Sequence, residues 1–183
     1  KLYVVTTGDD GEKTNWTDTT AVFVGDSITH GSGTTKQYHA YLKEMLGFIS
    51  VTNMGVAGSC ISTKSDYGSG NSPLITRYQS IPDADLIVLF MGTNDYGHET
   101  PLGSADDVGD ISFYGALNVV IPGIIEAHPN STFVVITPLH RYGFGTSKLT
   151  GEAFTYDYLP NGRGHNLEDY VNAIKTVCGK WSV

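Results

Sequence analysis

The chain has 183 residues, 40% hydrophobic and 16% charged, which suits one domain with a sizeable core and excludes the composition of a disordered chain. Lys and Arg number 11 against 19 Asp and Glu, for a formal net charge of −8, and no basic cluster stands out that could neutralise nucleic-acid phosphates. The apolar runs at 86–91 and 133–136 are too short to span a bilayer, and Cys60 and Cys178 are too few and too far apart for a disulfide scaffold or a cysteine-rich metal site.

Residues 1–19 read as a leader: a short strand at 2–7, a Gly-Asp turn and a polar, Thr-rich linker. The domain proper is expected over 20–183. Its first strand is 21–24. A helix is expected over 35–46, with Tyr38, Tyr41, Leu42, Met45 and Leu46 at helical spacing and Gly47 as the stop. A second strand follows at 48–54, then a Gly/Ser-rich loop at 55–71. Residues 73–81 suit a short helix with Pro73 in its first turn. The most hydrophobic stretch, 85–91, is the third strand, and 92–109 is a long loop. A helix is expected over 112–128, kinked or split by Pro122, which lacks a backbone donor and clashes one turn back.

The fourth strand is 131–138, and 141–164 lacks a strong period and reads as a lid or active-site loop. Asn166 is placed to cap the last helix, whose apolar face is Leu167, Tyr170, Val171, Ile174, Val177 and Cys178, with Gly179 as its end. Residues 181–183 look like the start of a fifth strand. Alternating strands and helices predict an α/β fold, a parallel sheet covered on both faces and doubly wound. Such sheets bind ligands outside the carboxyl ends of their strands.

Three strand ends carry suitable chemistry. Gly25-Asp26-Ser27-Ile28-Thr29-His30-Gly31 follows the first strand, Asn53-Met54-Gly55-Val56-Ala57-Gly58 closes the second, and Gly92-Thr93-Asn94-Asp95 follows the third. A serine at a strand-to-helix turn is an exposed hydroxyl. A glycine turn offers backbone N–H groups, and an asparagine amide adds a fixed donor. Together they suit a nucleophile beside an oxyanion hole.

The three blocks, in this order, resemble the SGNH, or GDSL-type, serine esterase family over residues 20–183. The resemblance implies a flavodoxin-like three-layer α/β/α sandwich and no cofactor. It implies Ser27 as nucleophile, with the oxyanion held by the N–H groups of Ser27 and Gly55 and by the Asn94 amide. Asp26 is expected to bond loop backbone groups and, with Tyr96 and Arg141, to line the substrate site. The family acts on esters of sugars, lipids, thiols and phenols. Polar loops rich in Tyr, His and Asn favour a small-molecule or saccharide ester, acetyl or short-acyl.

The family's last block, Asp-x-x-His, supplies its general base, and no such block follows Cys178. Three readings stand. The natural chain continues past Val183 with the base; or His140, just after the fourth strand, substitutes as base or touches substrate; or the domain is an idle binding or structural module of a larger surface or virion protein. His30 and His39 are expected at the surface, and His128 as a helix C-terminal cation. No His, Asp or Glu grouping has metal-ligand spacing, and no phosphate-loop signature occurs.

Overall fold

The computed structural model describes residues 3–5, 16–64, 72–140 and 142–183. Seven strands occur among these residues: β1 (Tyr3–Val5), β2 (Thr20–Gly25), β3 (Ser50–Gly55), β4 (Leu86–Phe90), β5 (Thr132–Ile136), β6 (Tyr142–Thr146) and β7 (Ala153–Tyr156). The main sheet has the order β1-β5-β4-β2-β3. Strands β2 to β5 are parallel, and β1 runs antiparallel along the edge of β5, with Tyr3 opposite Val135. All five residues of β4 are buried, as parallel strands covered on both faces should be.

The helices are α1 (Ser27–His30), α2 (Tyr38–Leu46), α3 (Thr93–Gly97), α4 (Phe113–Ala127) and α5 (Leu167–Lys180). On one face of the sheet, Val22, Val24, Ile87, Leu89, Phe133 and Val135 pack against Leu117 and Ile121 of α4 and Tyr170 and Ile174 of α5. On the other, Ala21, Phe23, Val88 and Val134 meet Phe48, with Tyr38 and Leu42 of α2 packed against them. The result is the expected three-layer sandwich. Among the parallel strands the chain switches direction between β2 and β4, and sheets of this kind bind ligands at the carboxyl ends beside such a switch.

Several local expectations are corrected. Residues 181–183 form no strand; they close α5 in a turn, with Val183 N–H donating to Cys178 O at 2.9 Å. Val183 packs against the main core. Pro122 does not split α4, which runs through it as one helix. Burying large side chains such as Leu117 and Ile121 contributes about 1.5–3 kcal/mol each, which outweighs about 3 kcal/mol for an interior proline. On α2, Tyr41, Met45 and Leu46 are exposed. The helix is rolled so that His39 faces inward, its Nε2 3.2 Å from Thr29 O, while the Tyr38 hydroxyl lies 3.2 Å from Thr29 Oγ1. These contacts to α1 orient α2 more strongly than its hydrophobic pattern does.

The segment 73–81 forms two 3₁₀ turns, Leu74–Thr76 and Tyr78–Ser80. The 141–164 segment holds the β6-β7 hairpin. The cap of α5 is as expected: Asn166 and Asp169 bond each other's N–H groups reciprocally at 3.0 and 3.1 Å. The helix passes through Gly179 and ends at Lys180.

Candidate active site

The three blocks meet because their strands end side by side. Gly25 lies in register with Gly55 on one side and Phe90 on the other, and neighbouring strands are about 4.8 Å apart. Ser27 opens α1 and is half-buried. Asp26 caps this turn: its Oδ1 accepts from Ile28 N–H at 2.9 Å, and its side chain is buried at 1% exposure. Asp26 thus bonds loop backbone as expected, but it faces inward and does not line a substrate surface.

Gly25 and Gly55 are required by close approach. A Cβ on Gly25 would overlap the Thr29 side chain and lie 2.9 Å from Phe90 O. A Cβ on Gly55 would overlap His30 N and lie 2.6 Å from the Thr29 carbonyl carbon. The first turn of α1 therefore rests on the end of β3, beside the serine.

The Gly55 N–H, expected as an oxyanion donor, is not free: it donates to Asn53 Oδ1 at 2.8 Å. The next glycine of the turn is better placed. Gly58 has φ +74° and open space where a Cβ would stand. Neither its N–H nor that of Ser27 has an acceptor among the described residues. Asn94 reaches this same turn, its Nδ2 donating to Ser59 O at 3.0 Å. An amide nitrogen carries two hydrogens, so one tethers the turn and the other remains. Asp95 holds the turn from below. Its carboxylate accepts from Ile61 N–H at 2.9 and 3.1 Å and from Ser62 N–H at 3.4 Å. Burial pushes the Asp95 carboxyl up to about 7, while those N–H groups oppose the shift.

Tyr96 is fully buried, donates to Leu159 O at 2.7 Å and packs edge-on against Tyr170. It is a core residue and not a substrate wall, because its ring is enclosed with Tyr170 and its hydroxyl is taken by Leu159 O. Arg141 lies outside the described residues. His140 is exposed, and its Nδ1 lies 2.6 Å from Asp157 Oδ2. Sequence reasoning missed Asp157, which the hairpin brings back to His140 across seventeen residues; no local signal marks such a pair.

The other histidines serve local structure. His39 is buried, contrary to expectation, and burial lowers its pKa. His128, at the C-terminus of α4, bonds Asp83 at 2.9 Å. Both cysteines are buried free thiols, Cys60 with its Sγ 3.5 Å from His98 Nδ1. Burial pushes both thiols up, Cys178 to about 11, so neither is a ready nucleophile. Among the described residues, no group of three or more His, Cys, Asp and Glu comes together as a metal ion would require, and no helix is long and apolar enough to cross a membrane.

Comparison with known proteins gives the relatives of this arrangement. The sequence profile of the GDSL-like lipase/acylhydrolase family matches residues 23–182. A crystal structure of a Lactobacillus plantarum protein is 33% identical, with a TM-score of 0.77, over 91% of this chain and 75% of that one. A possible lipase from Chitinophaga pinensis is 26% identical, with a TM-score of 0.71, over 90% of this chain and 65% of that one. The acetyl xylan esterase AlAXEase shares the fold at 19% identity and a TM-score of 0.56, over 88% of this chain and 73% of that one. No curated protein matches the chain.

Proposed function

The chain belongs to the GDSL-like lipase/acylhydrolase family, and from that premise we propose that it hydrolyses carboxylic esters through an acyl-enzyme on Ser27. Ser27 Oγ attacks the ester carbonyl. The N–H groups of Ser27 and Gly58 and the free hydrogen of the Asn94 amide receive the oxyanion, the alcohol leaves, and water then releases the acid. The observation that carries this reading is the Asn94–Ser59 bond. It ties the end of β4 to the turn after β3, next to the turn that presents the serine. Donors fixed before the reaction need no reorganisation as charge develops, which is what makes them effective.

Support for a polar, short-acyl substrate comes from the segment after β5, where Tyr142, Tyr158 and His140 are exposed. Aromatic rings beside hydrogen-bonding groups suit a sugar ester better than a long acyl chain.

The His140–Asp157 pair favours His140 as the base. With Asp157 accepting from Nδ1, the Nε2 lone pair is left to take a proton. Strand β5 stands two places from β2, about 10 Å at the usual strand spacing, so the imidazole must approach the serine over the intervening loop. Labelling with a fluorophosphonate probe and hydrolysis of p-nitrophenyl acetate test the scheme. The protein should label at Ser27, and Ser27→Ala should do neither. Labelling that persists in Ser27→Ala removes the nucleophile assignment. Hydrolysis that survives His140→Ala assigns the base elsewhere, and a protein that neither labels nor hydrolyses is a binding module.

A further inference from the structure

Arg77 lies between the two 3₁₀ turns and sends its guanidinium under the carboxyl ends of β2 and β3. Its Nη2 donates to Gly25 O at 3.1 Å and its Nη1 to Met54 O at 3.0 Å. Its Nε donates to Ser72 O at 3.0 Å, and Nη2 also lies 3.9 Å from Met91 Sδ. Gly25 is the last residue of β2, and Met54 is the last but one of β3. Two adjacent strand carbonyls are thus bridged by one rigid fork, a geometry that a lysine ammonium does not reproduce.

Both bridged carbonyls lead into the reacting groups. Gly25 O also accepts from Val56 N–H at 3.0 Å, so the peptide entering Asp26 and Ser27 is held from two sides. Met54 precedes the turn that carries Gly58.

We propose that Arg77 is a positioning residue for ester hydrolysis: it locks the nucleophile turn to the oxyanion turn. This rests on the reading of Ser27 as nucleophile.

The test compares the wild-type protein with Arg77→Met, Arg77→Lys and Arg77→Ala. Three quantities are read: the rate of fluorophosphonate labelling at Ser27, kcat and KM for p-nitrophenyl acetate, and the melting temperature. Arg77→Met should label about 10²-fold more slowly, the cost of a small misplacement of reacting groups. Its kcat should fall while KM stays unchanged. Arg77→Lys should recover little, because one ammonium cannot span both carbonyls. Added ethylguanidinium should restore part of the Arg77→Ala rate, and propylammonium should not. A folded Arg77→Met or Arg77→Lys variant with wild-type labelling and kcat overturns the proposal, and so does a fall in kcat that only follows the unfolded fraction. If the Met variant does not fold, the Lys variant decides. Wild-type protein that takes no label at Ser27 overturns the esterase reading itself and this inference with it.

Discussion

In the proposed scheme Asn94 has two tasks for one amide, and stability and turnover read them separately. One hydrogen holds Ser59 O, a buried carbonyl, at 3.0 Å. The other is the proposed oxyanion donor. Asn94→Ala removes both. Leaving the Ser59 carbonyl without its donor costs about 1–3 kcal/mol of stability, and each kcal/mol lowers Tm by about 2–4 °C in a domain of this size. Losing the oxyanion donor costs about 2.7–4 kcal/mol in the transition state, or roughly 10²–10³ in kcat. Asn94→Asp keeps the shape and reverses the field. Its carboxylate would face Ser59 O beside the buried Asp95, so it should be the less stable variant and at least as slow. The assay is kcat for p-nitrophenyl acetate well below each variant's melting temperature. A folded Asn94→Ala protein with a lowered Tm but undiminished turnover refutes the oxyanion role and leaves Asn94 as a tether.

Further expectations follow from the same geometry. Gly55→Ala should fail to hold α1, because its Cβ would overlap His30 N; a thermal melt at the wild-type temperature would refute that close approach. Glu99, fully buried, accepts from the Ser147 hydroxyl, from Lys148 N–H at 2.9 Å and from Gly162 N–H at 2.8 Å. Glu99→Ala leaves these donors unsatisfied at about 1–3 kcal/mol each. Hydrogen exchange should then speed up over 142–164 first, and unchanged protection there would rule out this anchoring role. Asp95 makes stability pH-dependent. Its folded pKa of about 7 lies above the ordinary 3.8, so the folded protein binds the proton more tightly than the unfolded chain. Stability from this group is full below about pH 4 and is lost as pH rises to about 7, on the order of 4 kcal/mol. Melts at pH 4.5 and 7.5 should show that loss in the wild type and not in Asp95→Asn; equal slopes in the two proteins would refute it. His39, with its lowered pKa, works in the opposite direction on the acid side, which is why the comparison is with the variant.

Much of the architecture was legible before any coordinates. Apolar runs of strand length alternate with amphipathic segments, and Asn166 signals the start of α5; both are local properties of the chain. Side-chain direction was less legible. Tyr96 sits in a loop block full of site residues, yet it turns into the core to reach Leu159 O. His39 is a polar residue on a surface helix, yet it is buried against Thr29 O. Periodicity reports which residues are apolar, and the roll of a short helix is then chosen by its partners.

The same division runs through the candidate site. The sequence by itself determined that a serine, a glycine turn and an asparagine stand at three successive strand ends, because strand ends and turn residues are written locally. Only the tertiary structure decided which groups remain available there. Asn53 occupies the Gly55 N–H and leaves Gly58 as the open donor. Asp157 returns through a hairpin to His140, and Arg77 gathers carbonyls from two strands. Whether a hydrogen-bonding group is free or taken depends on neighbours that meet only when the chain has folded, and spacing along the sequence carries no record of them.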